Sequence, residues 1–245
     1  MTRTLVVMPT YNEVENIADI VGRVRLARPE ADVLVVDDGS PDGTGAVVQE
    51  LAEQDDQVNA LHRSGKQGLG AAYRAGFTWG LERDYDVLVE MDADGSHQPE
   101  QLGRLLDASA GGADLVIGSR WVAGGEVRNW PLRRRLISRG GTFYARFMLG
   151  LPVVDATAGF RAFRRSALER IDLGAVASQG YCFQIDMTRR VHGLGMTIAE
   201  VPVTFVERQR GASKMSGAIV REALWRVTLW GLARLVPGHR QRVSG

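Results

Sequence analysis

The sequence predicts an α/β fold built on a mainly parallel sheet with helices on both faces, and three observations carry that prediction. Strand-like and helix-like segments alternate through the first half of the chain. The run Tyr85-Asp86-Val87-Leu88-Val89-Glu90-Met91 is apolar enough for a buried strand and ends abruptly in Asp92-Ala93-Asp94. Two earlier strands also end in polar, acid-bearing tips, so three such tips meet at one sheet edge, outside the carboxyl ends where ligands of these sheets bind.

The elements follow in order. A strand over Thr4–Met8 precedes a helix over about Val14–Leu26. Asp32–Val36 and Val58–Leu61 are strands, separated by a helix over about Gly43–Glu53. A helix over about Gly70–Leu81 leads to the strand Asp86–Met91, then a helix over about Pro99–Ala108 and the strand Asp114–Gly118. The three acidic tips are Pro9-Thr10-Tyr11-Asn12-Glu13, Asp37-Asp38-Gly39-Ser40-Pro41-Asp42-Gly43 and Asp92-Ala93-Asp94.

The chain has 245 residues, enough for one large α/β domain or two small ones, and carries a formal net charge of +1. That balance gives no global case for nucleic-acid binding, so any basic surface is local. Arg128 to Arg139 holds five arginines and no acid, and the stretch after Glu207 is also mostly basic. The single Cys182 excludes an internal disulfide and fits a reducing compartment, although a small core residue is its simpler reading. Met1 runs almost directly into a strand, so no signal peptide is expected, and no run of about 20 apolar residues predicts a span.

Carboxylates at a strand's C-terminal end suit a hard cation such as Mg²⁺ or Mn²⁺, which keeps waters and completes its shell with substrate phosphate. The alternative is a turn, with Asp94-Gly95-Ser96 capping the next helix. Of Asp37 and Asp38, one reads as a turn residue and the other as a ligand for a ribose hydroxyl or base edge. Gly68-Leu69-Gly70 lies after the third strand and lacks the full dinucleotide spacing, so it reads as a close-packed helix start. His97 reads as support for the acidic pair rather than as a ligand.

Val7-Met8-Pro9-Thr10-Tyr11-Asn12-Glu13, Val36 through Thr44 and Met91-Asp92-Ala93-Asp94 resemble the nucleotide-sugar half of inverting family 2 glycosyltransferases, which have the GT-A fold. Later segments resemble the polyprenol-phosphate (dolichol-phosphate) mannose synthases within that family. They are Gly118-Ser119-Arg120, Ile137-Ser138-Arg139-Gly140, Asp155 through Arg161, Gly180 through Gln184, and Val201 through Arg208 with Ser213-Lys214. The likeness runs in order from about Leu5 to about Ser216.

That resemblance implies inverting transfer of mannose from GDP-mannose to a polyprenyl or dolichyl monophosphate at the cytoplasmic face of a membrane. It implies Mg²⁺ or Mn²⁺ held by Asp92, Asp94 and Ser96; some archaeal members place a Gln where Ser96 stands. It places Pro9, Tyr11, Glu13, Val36, Asp38, Asp92, Ala93, Asp94, Arg120, Arg208 and Lys214 on the nucleotide sugar, and Arg120, Arg134 and Ser138 on the acceptor phosphate. Asp94, Arg208 and Lys214 then carry catalysis, by neutralising a departing diphosphate. A related enzyme using UDP-glucose, or a non-catalytic nucleotide-sugar-binding scaffold, remain alternatives.

A prenyl acceptor needs a membrane-facing surface. Drawn as a helix, Leu136–Leu151 groups Leu136, Ile137, Phe143, Tyr144, Phe147, Met148 and Leu151 on one face, which suits an interfacial helix or a core-packed one. Ile219–Val236 is a second apolar candidate, interrupted by Arg221, Glu222, Arg226 and Arg234. The expected division is a catalytic domain over 1–213 and an amphipathic, membrane-associating tail over 214–245, with a separate membrane protein as a further candidate anchor.

Overall fold

The computed structural model describes residues 2–176, 178, 180–208 and 217–235. Its strands are β1 (Thr4–Thr10), β2 (Asp32–Asp37), β3 (Val58–His62), β4 (Val87–Glu90), β5 (Leu115–Ser119), β6 (Glu126–Arg128), β7 (Arg161–Arg164), β8 (Ile198–Pro202) and β9 (Thr204–Val206). The helices are α1 (Ile17–Ala27), α2 (Thr44–Gln54), α3 (Leu69–Leu81), α4 (Leu102–Ala110), α5 (Leu132–Leu149), α6 (Arg165–Arg170), α7 (Gly180–Gly193) and α8 (Gly217–Leu235).

Seven strands form one sheet in the order β3-β2-β1-β4-β7-β5-β8, and β6 pairs with β9 in a second, two-stranded ladder. All neighbours in the large sheet are parallel except β7, which runs antiparallel between β4 and β5. The pleat explains why β1 is an unbroken apolar run over residues 5–8. Leu5 and Val7 point into one buried cluster and Val6 and Met8 into the other, so both faces are covered.

Helix α3 lies directly on the sheet because glycine faces it. A Cβ on Gly76 would sit 2.3 Å from Val7 Cγ1, closer than any real contact. At the helix start Gly70 allows an equally close approach to the segment leading into α7, where a Cβ would lie 2.5 Å from the Ser178 carbonyl oxygen. The close-packed start expected there is therefore what the chain builds.

Two expectations need correction. Helix α1 begins at Ile17, not Val14, because the Asn12 backbone is left-handed (φ 56) and the chain is still turning. The single apolar face drawn over Leu136–Leu151 splits: Phe143 (71% exposed) and Phe147 (76%) point outward, whereas Tyr144 and Met148 pack inward and Leu151 is buried beyond the helix end. The expected boundary at 213/214 lies outside the described residues. Helix α8 joins the main apolar cluster through Val227 and Trp230, and its Thr228 hydroxyl is 2.6 Å from the Tyr144 hydroxyl of α5.

Candidate active site

The carboxyl ends of β1, β2, β4 and β5 border a cleft of about 380 Å³. Of the residues expected on the nucleotide sugar, Pro9, Tyr11, Glu13, Asp38, Asp92, Ala93, Asp94, Arg120 and Arg208 line it. Val36 does not. It is fully buried beneath the tip of β2, because the pleat turns its side chain into the core. Lys214 lies outside the described residues.

Asp92 and Asp94 follow β4 and meet opposite environments. Asp92 Oδ1 accepts a hydrogen bond from the Tyr73 hydroxyl (3.2 Å), and its backbone N–H donates to His97 Nδ1 (3.0 Å). Burial pushes the Asp92 carboxyl up, and the neighbouring Asp94 charge pushes it further. Asp94 is also buried, yet Arg208, whose Nη2 lies 2.8 Å from Asp94 Oδ2, and Ser96 hold it below the usual carboxylate range. Two carboxylates one residue apart with opposite shifts share a site where like charges meet.

The donor set fits a hard divalent cation. Its protein ligands would be the oxygens of Asp92 and Asp94. Among the described residues no group of three or more His, Cys, Asp or Glu is placed to hold a metal ion by itself. Ser96 donates its N–H to Asp94 Oδ1 (3.0 Å), and its hydroxyl is buried without a partner outside the cleft lining. His97 does not act as a ligand candidate. Burial lowers its pKa, and Nδ1 accepts from Asp92 N–H, so the imidazole is a neutral prop stacked on Phe160 at 5.2 Å.

One end of the cleft is built by β2 and the segment after β3. Asp37 binds the Ser40 hydroxyl and N–H, the turn role expected of one of the pair. Asp38 pairs with Arg63 and accepts the Gln67 N–H, which fastens the 63–67 segment over the cleft. Lys66 lies 4.3 Å from the Tyr11 ring centroid and lines the cleft. Nothing in the local pattern singled out Lys66 or Tyr73. A tyrosine on the apolar side of a helix reads as core until the packing brings its hydroxyl to Asp92.

Arg120, at the end of β5, is gripped from the far side. Its Nε and Nη2 donate to Asp155 at 2.7 and 2.6 Å, Nη2 also donates to Thr157 Oγ1, and Glu200 accepts the N–H groups of Val154 and Asp155. Arg161, wholly buried, holds the same loop by donating to the Ala156 and Ala158 carbonyls, and ties it to α7 through the Gln184 carbonyl. Burial lowers the Arg161 pKa to about 10.

A second cavity of about 350 Å³ opens between α5 and α8 and shares Arg120, Arg134 and Thr157 with the cleft. Ile137, Tyr144, Ile185, Leu224 and Val227 make it apolar, and Ser138 lines it near the shared arginines. Arg134 is ion-paired with Glu207 and stacks on Trp130 at 4.2 Å.

Glu90, fully buried behind the acidic pair, is pushed by burial from an ordinary 4.5 to about 8, against the nearby Arg161 charge. The folded chain therefore keeps a proton that the unfolded chain releases. Between those two values stability falls as pH rises. Glu90→Gln, which cannot ionise, is expected to flatten that dependence; thermal midpoints of both proteins between about pH 5 and pH 8 check it, and parallel curves would refute it.

An acidic pair facing arginines outside the carboxyl ends of a mainly parallel sheet stands where the ligands of such α/β sheets bind. The chain belongs to glycosyl transferase family 2, whose family model matches residues 5–172. It is 62% identical over 231 residues to the polyprenol monophosphomannose synthase of Mycolicibacterium smegmatis, covering 94% of this chain and 87% of that one. It is 60% identical over 242 residues to the undecaprenyl-phosphate mannosyltransferase of Micrococcus luteus, covering 99% of each. In fold it is similar to glucosyl-3-phosphoglycerate synthase of Mycobacterium tuberculosis, solved with Mn²⁺ and UDP-glucose. There the TM-score is 0.69 at 20% identity, over 97% of this chain and 81% of that one.

Proposed function

We propose that this glycosyltransferase moves mannose from GDP-mannose to a polyprenyl monophosphate with inversion, with Asp92 and Asp94 holding Mg²⁺ or Mn²⁺. The observation that carries this reading is the meeting of two unlike cavities at Arg120 and Arg134: a cleft with carboxylates and cations, and an apolar groove between two helices. A nucleotide sugar matches the first and a prenyl phosphate the second. The two named relatives support mannose and a polyprenyl acceptor.

In the reaction an acceptor phosphate oxygen attacks the anomeric carbon as the bond to the GDP diphosphate breaks on the opposite side. The acceptor is already anionic near neutrality, so no side chain has to remove a proton. Arg208 faces the leaving diphosphate and Arg120 and Arg134 face the entering phosphate, where guanidinium forks match the oxygens. Lys214 joins Arg208 on the diphosphate in this reading. A bound divalent cation supplies further positive charge to the leaving group.

The acceptor's chain sets where the enzyme works. No helix among the described residues is long and apolar enough to cross a membrane. Leu132, Leu136, Ile137, Phe143 and Phe147 on α5 and Leu224, Trp225, Leu229 and Leu232 on α8 are exposed apolar groups flanking the groove, with exposed Arg133, Arg135, Arg139 and Arg146 beside them. That make-up supports contact with a membrane surface that carries anionic lipid, as the cytoplasmic face does.

The function is tested by incubating purified protein with labelled GDP-mannose or UDP-glucose, an undecaprenyl phosphate and Mg²⁺ or Mn²⁺. Mannosyl-phosphoryl lipid as the product is expected; glucose transfer, or donor binding without turnover, would overturn the reading. Replacing Phe143 and Phe147 with Ser is expected to reduce liposome binding and transfer to long prenyl phosphates, and to spare a short soluble acceptor. Unchanged liposome binding, or equal loss with both acceptors, would refute membrane contact through this face.

A further inference from the structure

We propose that Trp130 is an additional hydrogen-bond donor to the acceptor phosphate, its indole N–H acting beside Arg134 and Ser138. This rests on the reading of the α5–α8 groove as the acceptor site. The backbone aims the residue there. Asn129 is left-handed (φ 61), which reverses the chain between β6 and α5 and turns Trp130 inward, 6% exposed, onto the wall of the groove.

Three residues that line this groove each carry a buried polar atom without a hydrogen-bond partner, closed off from the groove: Trp130 Nε1, Arg134 Nε and Ser138 Oγ. An indole nitrogen can only donate, as can a guanidinium, and a serine hydroxyl can donate. A buried donor left without a partner is costly, so three on one short stretch call for an acceptor with several lone pairs. Glu207 Oε2 is also unpartnered, but its other oxygen already holds Arg134, and one oxygen cannot serve three donors. A phosphate can.

The Arg134 guanidinium lies 4.2 Å and that of Arg120 5.3 Å from the Trp130 ring centroid, each of them also ion-paired, with Glu207 and Asp155, so both cations brace the indole beside the groove. Trp121 is a useful contrast. Its Nε1 is likewise buried and unpartnered, but it borders neither cavity.

Trp130→Phe keeps the ring that the arginines cover and removes only the N–H edge. The expected result is a fall in kcat/KM for prenyl phosphate of roughly ten- to hundredfold, from one hydrogen bond to a charged group, with KM for GDP-mannose and the melting temperature unchanged. Separately, ¹⁵N-labelled wild-type protein is titrated with farnesyl phosphate and no sugar donor. The indole N–H signal missing from the Trp130→Phe spectrum is expected to move downfield. An unchanged kcat/KM, an unmoved signal at saturation, or equal damage to donor and acceptor kinetics with a lower melting temperature would overturn the proposal. Failure of wild-type protein to mannosylate any prenyl phosphate would overturn the proposed function instead, while the phosphate titration would still decide the role of Trp130.

Discussion

Asp94→Ala protein is expected to lose at least roughly 10²–10³ of its transfer rate while unfolding at nearly the wild-type temperature. The carboxylate sits where cationic charge must gather: Arg208 Nη2 lies 2.8 Å away, and the Ser96 N–H donates to its other oxygen. Arg208 and Ser96 hold its pKa down against burial, so it stays charged throughout the neutral range. Removing it leaves Arg208 beside an open cleft that water reaches, which limits the cost to stability. Asp94→Asn keeps the volume and an acceptor for Ser96 and should be almost as inactive, because only the charge is lost. Near wild-type, metal-dependent transfer by either variant would remove Asp94 from the catalytic set.

How much of this was readable beforehand follows from where the chemistry resides. The strand and helix units through β5 were legible because strands covered on both faces are apolar runs, and the helices between them keep a 3.6-residue period. Strand β7 was not. Arg161-Ala162-Phe163-Arg164 carries two arginines, and only tertiary structure shows that Arg161 is buried by bonding to carbonyls of two neighbouring segments. The three-residue strands β6 and β9 are too short to carry a pattern. The acidic tips of the cleft could be read because their residue types announce them. Tyr73 and Lys66 could not, and the Asp155 loop, marked only as a motif of the family resemblance, gave no sign of its grip on Arg120, since each acts through a partner far away in sequence. On α5, neighbouring positions such as Phe143 and Tyr144 lie about 100° apart, so sequence alone could not say which edge of the apolar stripe meets the protein.

The Asp155 loop carries the second large effect. Asp155 is fully buried and holds Arg120, itself 4% exposed, through two parallel bonds. Removing one member of such a pair strands a charge away from water, a loss of about 3–5 kcal/mol. At this chain length that corresponds to a drop of roughly 6–20 °C in melting temperature for Asp155→Ala. Transfer should fall as well, because Arg120 borders both cavities and loses the grip that aims it. A double substitution separates the two consequences. Arg120→Met with Asp155→Leu replaces the pair by apolar groups, which restores much of the stability in comparable buried pairs. It supplies no guanidinium to the acceptor phosphate. The double variant is therefore expected to recover melting temperature but not transfer. Recovery of both would mean that Arg120 serves only the fold, and an unchanged midpoint in Asp155→Ala would show that the buried pair contributes nothing to it.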